Sequence, residues 1–436
     1  MSSKEINTTA TLETAAPTWW IRPGLEVTDK RMKIAGYDAE TIARENGTPL
    51  YVYDLTHIKE QARRIQHAFS DTGIPFCMRF ALKSVREPEI LNMLRGLGAV
   101  HSPDGIGMDV CSPGEMALAL KSGWDTSEIS YTGTNLSDAD FREILQHPIQ
   151  INVDLLSQLR RIGRLAPGRK VGIRINPRAG AARIYVPAGR SPDEEHKFGM
   201  YAGAKPTKFG IYAEQLDEAI DIAKKYDLKL NVAHFHICHQ TLTADLPRLD
   251  NALAEAMKMV RHLIDAGCPI EEVNTGGGIG QAGRQGEVDL DLNAWAAILA
   301  KHIGPLGVTL ASELGEFLVS RSGVLLSEVV TVEDRIGTEF IGLNVGWNTM
   351  SSRFIWGEWH DLLPCVNPLA PRPTKVTISG NINEAPDLFA EDYSFAHVRE
   401  GDIVAIFNVG AYSLAVACWH CLRPPAPALF FKERKV

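Results

Sequence analysis

Between Tyr51 and about Gly315, short β-branched or aromatic runs alternate with amphipathic stretches, and no other feature restricts the fold as much. Leu50-Tyr51-Val52-Tyr53, Val171-Gly172-Ile173-Arg174-Ile175 and residues 230–236 read as strands. Residues 214–226 place Leu216, Ala219, Ile220 and Ala223 on one helical face. Residues 252–264 do the same with Leu253, Met257, Val260 and Ile264, ahead of a stop at Gly267. Repeated β/α units of this kind close most readily into a parallel barrel. After about Ser320 the texture changes to β segments at 322–332, 376–379, 403–408 and 415–419, separated by Pro and Gly, which implies a second, antiparallel domain. Residues 356–372 hold several prolines and no period, so they read as a long connection.

The 436 residues carry 45 Lys plus Arg against 53 Asp plus Glu, a formal net charge of -8, and no apolar run long enough to cross a bilayer. That balance disfavours nucleic acid and anionic membrane as partners and leaves small molecules as the expectation. The 7 cysteines are scattered and odd in number, which fits free thiols in a reducing compartment. Residues 1–18 lack the charged, apolar and cleavage regions of a signal peptide, so a cytoplasmic location is expected.

Four segments carry chemistry. Phe80-Ala81-Leu82-Lys83 ends an apolar run in a lysine at the mouth of a barrel strand, which is either a surface residue or an amine able to form a Schiff base. Asn274-Thr275-Gly276-Gly277-Gly278-Ile279-Gly280 exposes backbone amides on which a phosphate can rest, or is simply a tight turn. Its contiguous glycines match neither a Walker loop nor the dinucleotide fingerprint. His234 and His236 alternate onto one strand face, with His239 three residues on; Cys238 is the nearest sulfur and the Cys418/Cys421 pair stands alone, so no metal site is expected. Glu313, in Ser312-Glu313-Leu314-Gly315-Glu316, ends the last strand of the barrel pattern, where a carboxylate aims into the mouth.

Taken in this order, the segments resemble the fold-type III PLP-dependent decarboxylases, the family of diaminopimelate and ornithine decarboxylases. The likeness runs from about Lys33 to Pro427. Ile34-Ala35-Gly36-Tyr37-Asp38 and Asn46-Gly47-Thr48-Pro49-Leu50-Tyr51-Val52-Tyr53-Asp54 look like the family's approach to the barrel, and Phe80-Ala81-Leu82-Lys83 is similar to its Tyr-Ala-Val-Lys motif. Asp109-Val110-Cys111-Ser112-Pro113-Gly114-Glu115, Arg174-Ile175-Asn176-Pro177, Lys208-Phe209-Gly210, the three glycines, Gly401-Asp402 and Gly410-Ala411-Tyr412 follow in family order. The resemblance implies an alanine racemase-like (β/α)8 TIM barrel over residues 47–319 and a C-terminal antiparallel β-domain over 320–436. Residues 1–46 would form a tail and a segment joining that β-domain.

It also implies roles. Lys83 would carry pyridoxal 5'-phosphate, Glu313 would pair with the pyridine nitrogen, and His236 would stack on the ring. Arg174 would sit near the ring hydroxyl and Asp109 would support the lysine, while Tyr412 with Gly276, Gly277 and Gly278 would hold the phosphate. The site would be completed across a homodimer interface.

Four departures from the family pattern bear on the chemistry. Its partner-subunit Cys-Glu-Ser-Gly-Asp is here Asn383-Glu384-Ala385-Pro386-Asp387, so an amide that does not titrate replaces the thiol that protonates Cα. Reprotonation then falls to Lys83, water or another group. Glu384 and Asp387 retain acids at the substrate's far end, and Glu384 hints at a distal ammonium. Second, Glu-Pro-Gly-Arg reads Glu313-Leu314-Gly315-Glu316, and an anion in place of the arginine would repel a phosphate or a distal carboxylate, which counts against diaminopimelate. Glu316 and Glu384 could instead pair with Arg353, which lies in a segment loosely similar to the family's substrate clamp and is read as substrate-binding. Third, His-x-Gly-Ser is His236-Ile237-Cys238-His239, where His239 could restore a positive charge near the phosphate. Fourth, residues 180–204, with Arg183, Arg190 and Lys197, look like an insertion, either a lid or a solvated loop.

The resulting expectation is a PLP-dependent α-decarboxylase for a specialised amino acid, one with a distal amino group rather than diaminopimelate. Two alternatives stand beside it. One is a racemase or other carbanion chemistry, prompted by Asn383. The other is an inactive, decarboxylase-like regulatory protein, against which the retention of Lys83, Glu313, His236 and the glycines counts.

Overall fold

The computed structural model describes residues 19–182 and 206–435; Arg183, Arg190 and Lys197 of the expected insertion lie outside them. Eight parallel strands form a closed barrel: β1 (Phe76–Ala81), β2 (Gly107–Val110), β3 (Ile129–Gly133), β4 (Gln150–Val153), β5 (Lys170–Arg174), β6 (Lys229–His234), β7 (Glu272–Asn274) and β8 (Thr309–Leu314). Closure comes from β8 pairing with β1, Leu310 opposite Phe76 through Leu314 opposite Phe80. Strands covered by side chains inside and helices outside read as near-continuous apolar runs, as Met78, Phe80, Ile151, Val153, Val171 and Ile173 illustrate.

The helices outside follow from spacing and caps. Leu246–Asp265 buries Leu249, Leu253, Met257, Val260 and Leu263 on one stripe, and the chain turns at Gly267 with φ +87°. Helix Leu55–Ser70 starts at Asp54, whose carboxylate accepts from the Thr56 and His57 amides.

The second domain is an eight-stranded, mostly antiparallel sheet centred on Gly323–Arg335, which pairs with Ile403–Phe407, Thr338–Leu343 and Leu50–Asp54. Two pairings in it are parallel: Thr338–Leu343 with Thr374–Ser379, and Leu50–Asp54 with Ala428–Phe431. Trp20 and the three-stranded meander Leu25–Thr28, Arg31–Ile34 and Tyr37–Asp38 pack against this sheet, with Trp20, Leu25, Met32 and Ile34 in one core with Val324, Leu326 and Phe407.

Three sequence readings change. Leu50-Tyr51-Val52-Tyr53 is a strand of this second sheet and not of the barrel. It is buried on both faces, with Tyr51 and Tyr53 in the barrel-side core and Leu50 and Val52 in the other, which gives it the texture of a barrel strand. Residues 415–419 form no strand; only a 3-10 turn, Leu414–Val416, occurs there, and the Cys418 amide donates to the Asn348 carbonyl instead of to a ladder. The connection 356–372 contains the buried strand Leu362–Pro364 at the sheet edge.

Across the barrel, Arg79 of β1 donates both terminal nitrogens to Glu272 of β7, at 2.7 and 2.8 Å, with both side chains nearly enclosed. Breaking such a pair leaves one buried charge unmatched. Arg79→Ala is expected to lower stability by about 3–5 kcal/mol in urea unfolding; a change within about 0.5 kcal/mol, the size of an exposed pair, would refute that role.

Candidate active site

The barrel's C-terminal rim brings the expected groups together. Lys83 sits in the single 3-10 turn Leu82–Ser84 that ends β1, Asp109 lies on β2, Arg174 ends β5, His234 ends β6, Asn274 ends β7 and Glu313 lies near the end of β8. A cavity of about 300 Å³ is lined by Lys83, Asp109, Arg174, His234, His236 and Glu313, together with Cys111, Thr132, Thr134 and Phe209. Lys83 is exposed to this cavity although the barrel surrounds it.

Glu313 is the best-anchored group. His234 Nε2 lies 3.1 Å from its Oε2, and Asn274 Nδ2 donates to its Oε1 at 2.8 Å. Burial alone would favour the neutral acid, but the hydrogen bond and charge of His234, then Lys83 and Arg79, hold the carboxyl well below the usual range. Asp109 behaves oppositely: burial and the nearby Glu313 charge push it up, with Lys83 opposing. Burial also works against the Lys83 ammonium, yet Asp109, Tyr412, Cys111 and Glu313 outweigh it and raise its pKa. The cavity therefore holds one fixed anion, one strongly basic amine and one carboxyl ready to share a proton.

His236 accepts a hydrogen bond at Nδ1 from the Gly277 amide at 3.1 Å, and burial followed by Arg174 and Lys83 depresses its pKa far below 6.5, so the ring is neutral. Arg174 lies over the Phe209 ring with Cζ 4.4 Å from its centroid, and 3.9 Å from Asp154. The glycine loop is as tight as its composition implies: a Cβ on Gly277 would come within 2.0 Å of the Glu313 carbonyl oxygen, and one on Gly278 within 2.1 Å of the Cys238 carbonyl oxygen. The Gly276 and Gly277 amides already donate to Asn274 and His236, so of the three glycine amides only that of Gly278 is without a partner among the described residues and left for a phosphate.

The remaining expected side chains do not line this cavity. Tyr412 has φ +54°, donates its amide to Ser84 at 2.7 Å and lines a second, smaller cavity with Gln240 and Glu316. His239 is half-buried, and desolvation lowers its pKa, which favours a neutral hydrogen-bonding ring over an added positive charge. Glu316 accepts from Gln240 at 2.9 Å. Burial, and then the charge of Glu358, push it up to about 8, so at pH 7 it is mostly protonated and the repulsion expected of an anion there is largely absent. Arg353 pairs with neither Glu316 nor Glu384 among the described residues; its guanidinium lies over Trp359 at 5.5 Å. Asn383, Glu384 and Asp387 do not line the Lys83 cavity of their own chain. Glu384 accepts from Trp347 Nε1 at 3.2 Å and contacts His420 at 2.7 Å, and Asp387 accepts the Trp347 and Ile382 amides.

Sequence reasoning assigned no role to His234, Asn274, Thr132, Thr134 or Cys111. The available signal was position, because His234 and Asn274 end barrel strands. Among the described residues, no cluster of three or more His, Cys, Asp or Glu is arranged to hold a metal, and no helix is long and apolar enough to cross a membrane.

The raised pKa of Glu316 has a signed consequence. Between about pH 4.5 and 8 the folded chain keeps a proton that the unfolded chain releases, so this group lowers stability as pH rises through that window. Glu316→Gln is expected to make the melting temperature fall less steeply than wild type from pH 5 to 8; parallel profiles would show that Glu316 titrates normally.

Residues 55–320 match the family described as pyridoxal-dependent decarboxylase, pyridoxal binding domain. The diaminopimelate decarboxylase of Methanothermobacter thermautotrophicus is 31% identical over 424 residues, covering 95% of this chain and 94% of that one. The crystal structure of the M. jannaschii diaminopimelate decarboxylase in complex with L-lysine superimposes with a TM-score of 0.79 at 28% identity, over 94% of this chain and 92% of that one. The Helicobacter pylori diaminopimelate decarboxylase complexed with L-lysine gives 0.76 at 26% identity, over 92% and 97%. The cavity fits the cofactor these proteins share: the buried Asp109 Oδ1 has no hydrogen-bond partner among the described residues, and the glycine loop leaves no room for a Cβ. With the barrel, the lysine, the anchored glutamate and the glycine loop in family order, the chain belongs to the fold-type III PLP-dependent amino acid decarboxylases.

Proposed function

We propose that this enzyme removes the α-carboxylate of an amino acid other than diaminopimelate, one whose side chain ends in an amine. The carrying observation for decarboxylation is Glu313, fixed by His234 and Asn274 in the cavity that holds Lys83. Bound at Lys83, PLP supplies the electron sink for the pair left when CO2 departs. Glu313 holds the ring-nitrogen proton in place, because its carboxylate is ionised and cannot swing away. His236 offers a neutral face, Arg174 a cation, and Gly278, Tyr412 and His239 donors for the phosphate. Asp109 steadies the Lys83 amine. Lys83 Nζ, basic and inside the cavity, is the group best suited to return a proton to Cα, since Asn383 has none to give.

The relatives are named for diaminopimelate, yet the carboxyl of Glu316 stands where the family pattern has arginine, and this supports a substrate without a distal carboxylate. We also infer a homodimer in which Asn383, Glu384 and Asp387 reach the partner's cavity. Trp419 and Leu422, 69% and 88% exposed, flank His420 beside Glu384 and form the kind of apolar surface that a second copy covers.

The purified protein is expected to show an absorption band of lysine-bound PLP that Lys83→Ala abolishes, with CO2 released from basic amino acids. PLP binding without CO2, but with loss of optical activity, would transfer the assignment to a racemase. Glu313→Gln is expected to retain PLP and lose roughly 100-fold or more in kcat; an unchanged kcat would remove Glu313 from the chemistry. Mixing inactive Lys83→Ala and Glu384→Ala chains is expected to restore up to roughly a quarter of wild-type activity through one intact shared site per mixed dimer. No recovery despite exchange of subunits would place Glu384 outside the site.

A further inference from the structure

Where the barrel rim meets the second domain, Glu316, Glu358, His360, Gln281, Asn408 and Tyr412 line a cavity separate from the one that holds Lys83. Its polar groups are mismatched in a consistent direction. Glu358, 7% exposed, has no hydrogen bond among the described residues and only His360 Nε2 within ion-pair range, at 3.8 Å. His360, 3% exposed, has Nδ1 2.9 Å from the Phe407 carbonyl, to which it donates, and its Nε2 is buried without a hydrogen bond among the described residues. Gln281 Oε1 and Asn408 Oδ1 are buried acceptors with no hydrogen-bond partner among the described residues, against one such donor, Gln281 Nε2. Glu316 receives one hydrogen bond, from Gln240. Arg284 is the cation at the cavity wall, with its guanidinium 4.9 Å above the Trp359 ring.

An acceptor-rich, water-sized space with two carboxyl groups calls for a small donor that carries positive charge. At about 40 Å³ it has room for two or three waters or one ammonium group. We propose that this cavity binds an ammonium-sized cation, supplied either as a free monovalent ion or as the terminal ammonium of the substrate. Glu358 and Glu316 would provide the charge, and Gln281 Oε1 and Asn408 Oδ1 the directed acceptors. The proton now retained by Glu316 is the smallest substitute for such a cation, and its position on the chain, three residues after Glu313, keeps the cavity next to the active site. The free-ion form is independent of the decarboxylase assignment; the substrate form rests on it.

Two arms separate the sources, both run on PLP-loaded enzyme, whose absorption band reports that each variant is folded. First, melting temperature is measured in ammonium or potassium chloride against choline chloride at equal ionic strength. A free-ion site raises it by about 2–4 °C in wild type, and Glu358→Gln and Glu316→Gln abolish the rise. Second, CO2 release is followed from lysine and from norleucine, which has the same length without the ammonium. A substrate site makes Glu358→Gln raise KM for lysine about tenfold and leave that for norleucine unchanged. If neither the melting temperature nor the KM ratio responds, the cavity holds only water and the proposal fails. If no amino acid yields CO2, the decarboxylase assignment fails separately and the melting data alone decide the cavity.

Discussion

Pairing of β8 with β1 is the constraint on which everything else depends. Once Leu310–Leu314 lies beside Phe76–Phe80, the parallel ladder has no free edge and all eight strands must end at one rim. Lys83, Asp109, Arg174, His234, Asn274 and Glu313 come from six different strands or strand ends, with up to 230 residues between Lys83 and Glu313. Their meeting is a product of closure. The buried Arg79–Glu272 pair ties β1 to β7 across β8 and contributes positive charge below Glu313, so barrel structure and site electrostatics are coupled.

Within that frame the site divides its two acidic groups by environment. Glu313 is surrounded by donors and stays ionised, whereas Asp109, equally enclosed but with an oxygen that has no partner among the described residues, is pushed toward the neutral form. Two carboxyls in one enclosed space cannot both remain charged without help, and the partners of Glu313 decide which one does. The same logic operates at the second cavity, where Glu358 and Glu316 compete and Glu316 keeps its proton. Thus an arginine-to-glutamate departure, which looks like a placed negative charge in the sequence, is mostly a neutral donor in the fold at pH 7.

Misread elements share one physical cause. Leu50–Asp54 has the continuous apolar texture of a barrel strand because two cores cover it, one from each domain. Residues 415–419 have strand-like composition, but their amides serve loop contacts around Asn348. Periodicity reports how a segment is covered and does not say which partner covers it.

What the sequence by itself determined is the β/α alternation, the change to β structure near Ser320, and the identity and order of Lys83, Asp109, Arg174, His236, the three glycines and Glu313. Local pattern and motif order suffice for these, because each is written in contiguous residues. Only the tertiary structure decided that His234 and Asn274 clamp Glu313, that Gly276 and Gly277 have already used their amides, that His239 is a neutral ring, and that Glu316 faces Glu358. Those properties depend on burial and on partners from distant strands. Neither is encoded near the residue it governs, and both change the protonation state on which the chemistry turns.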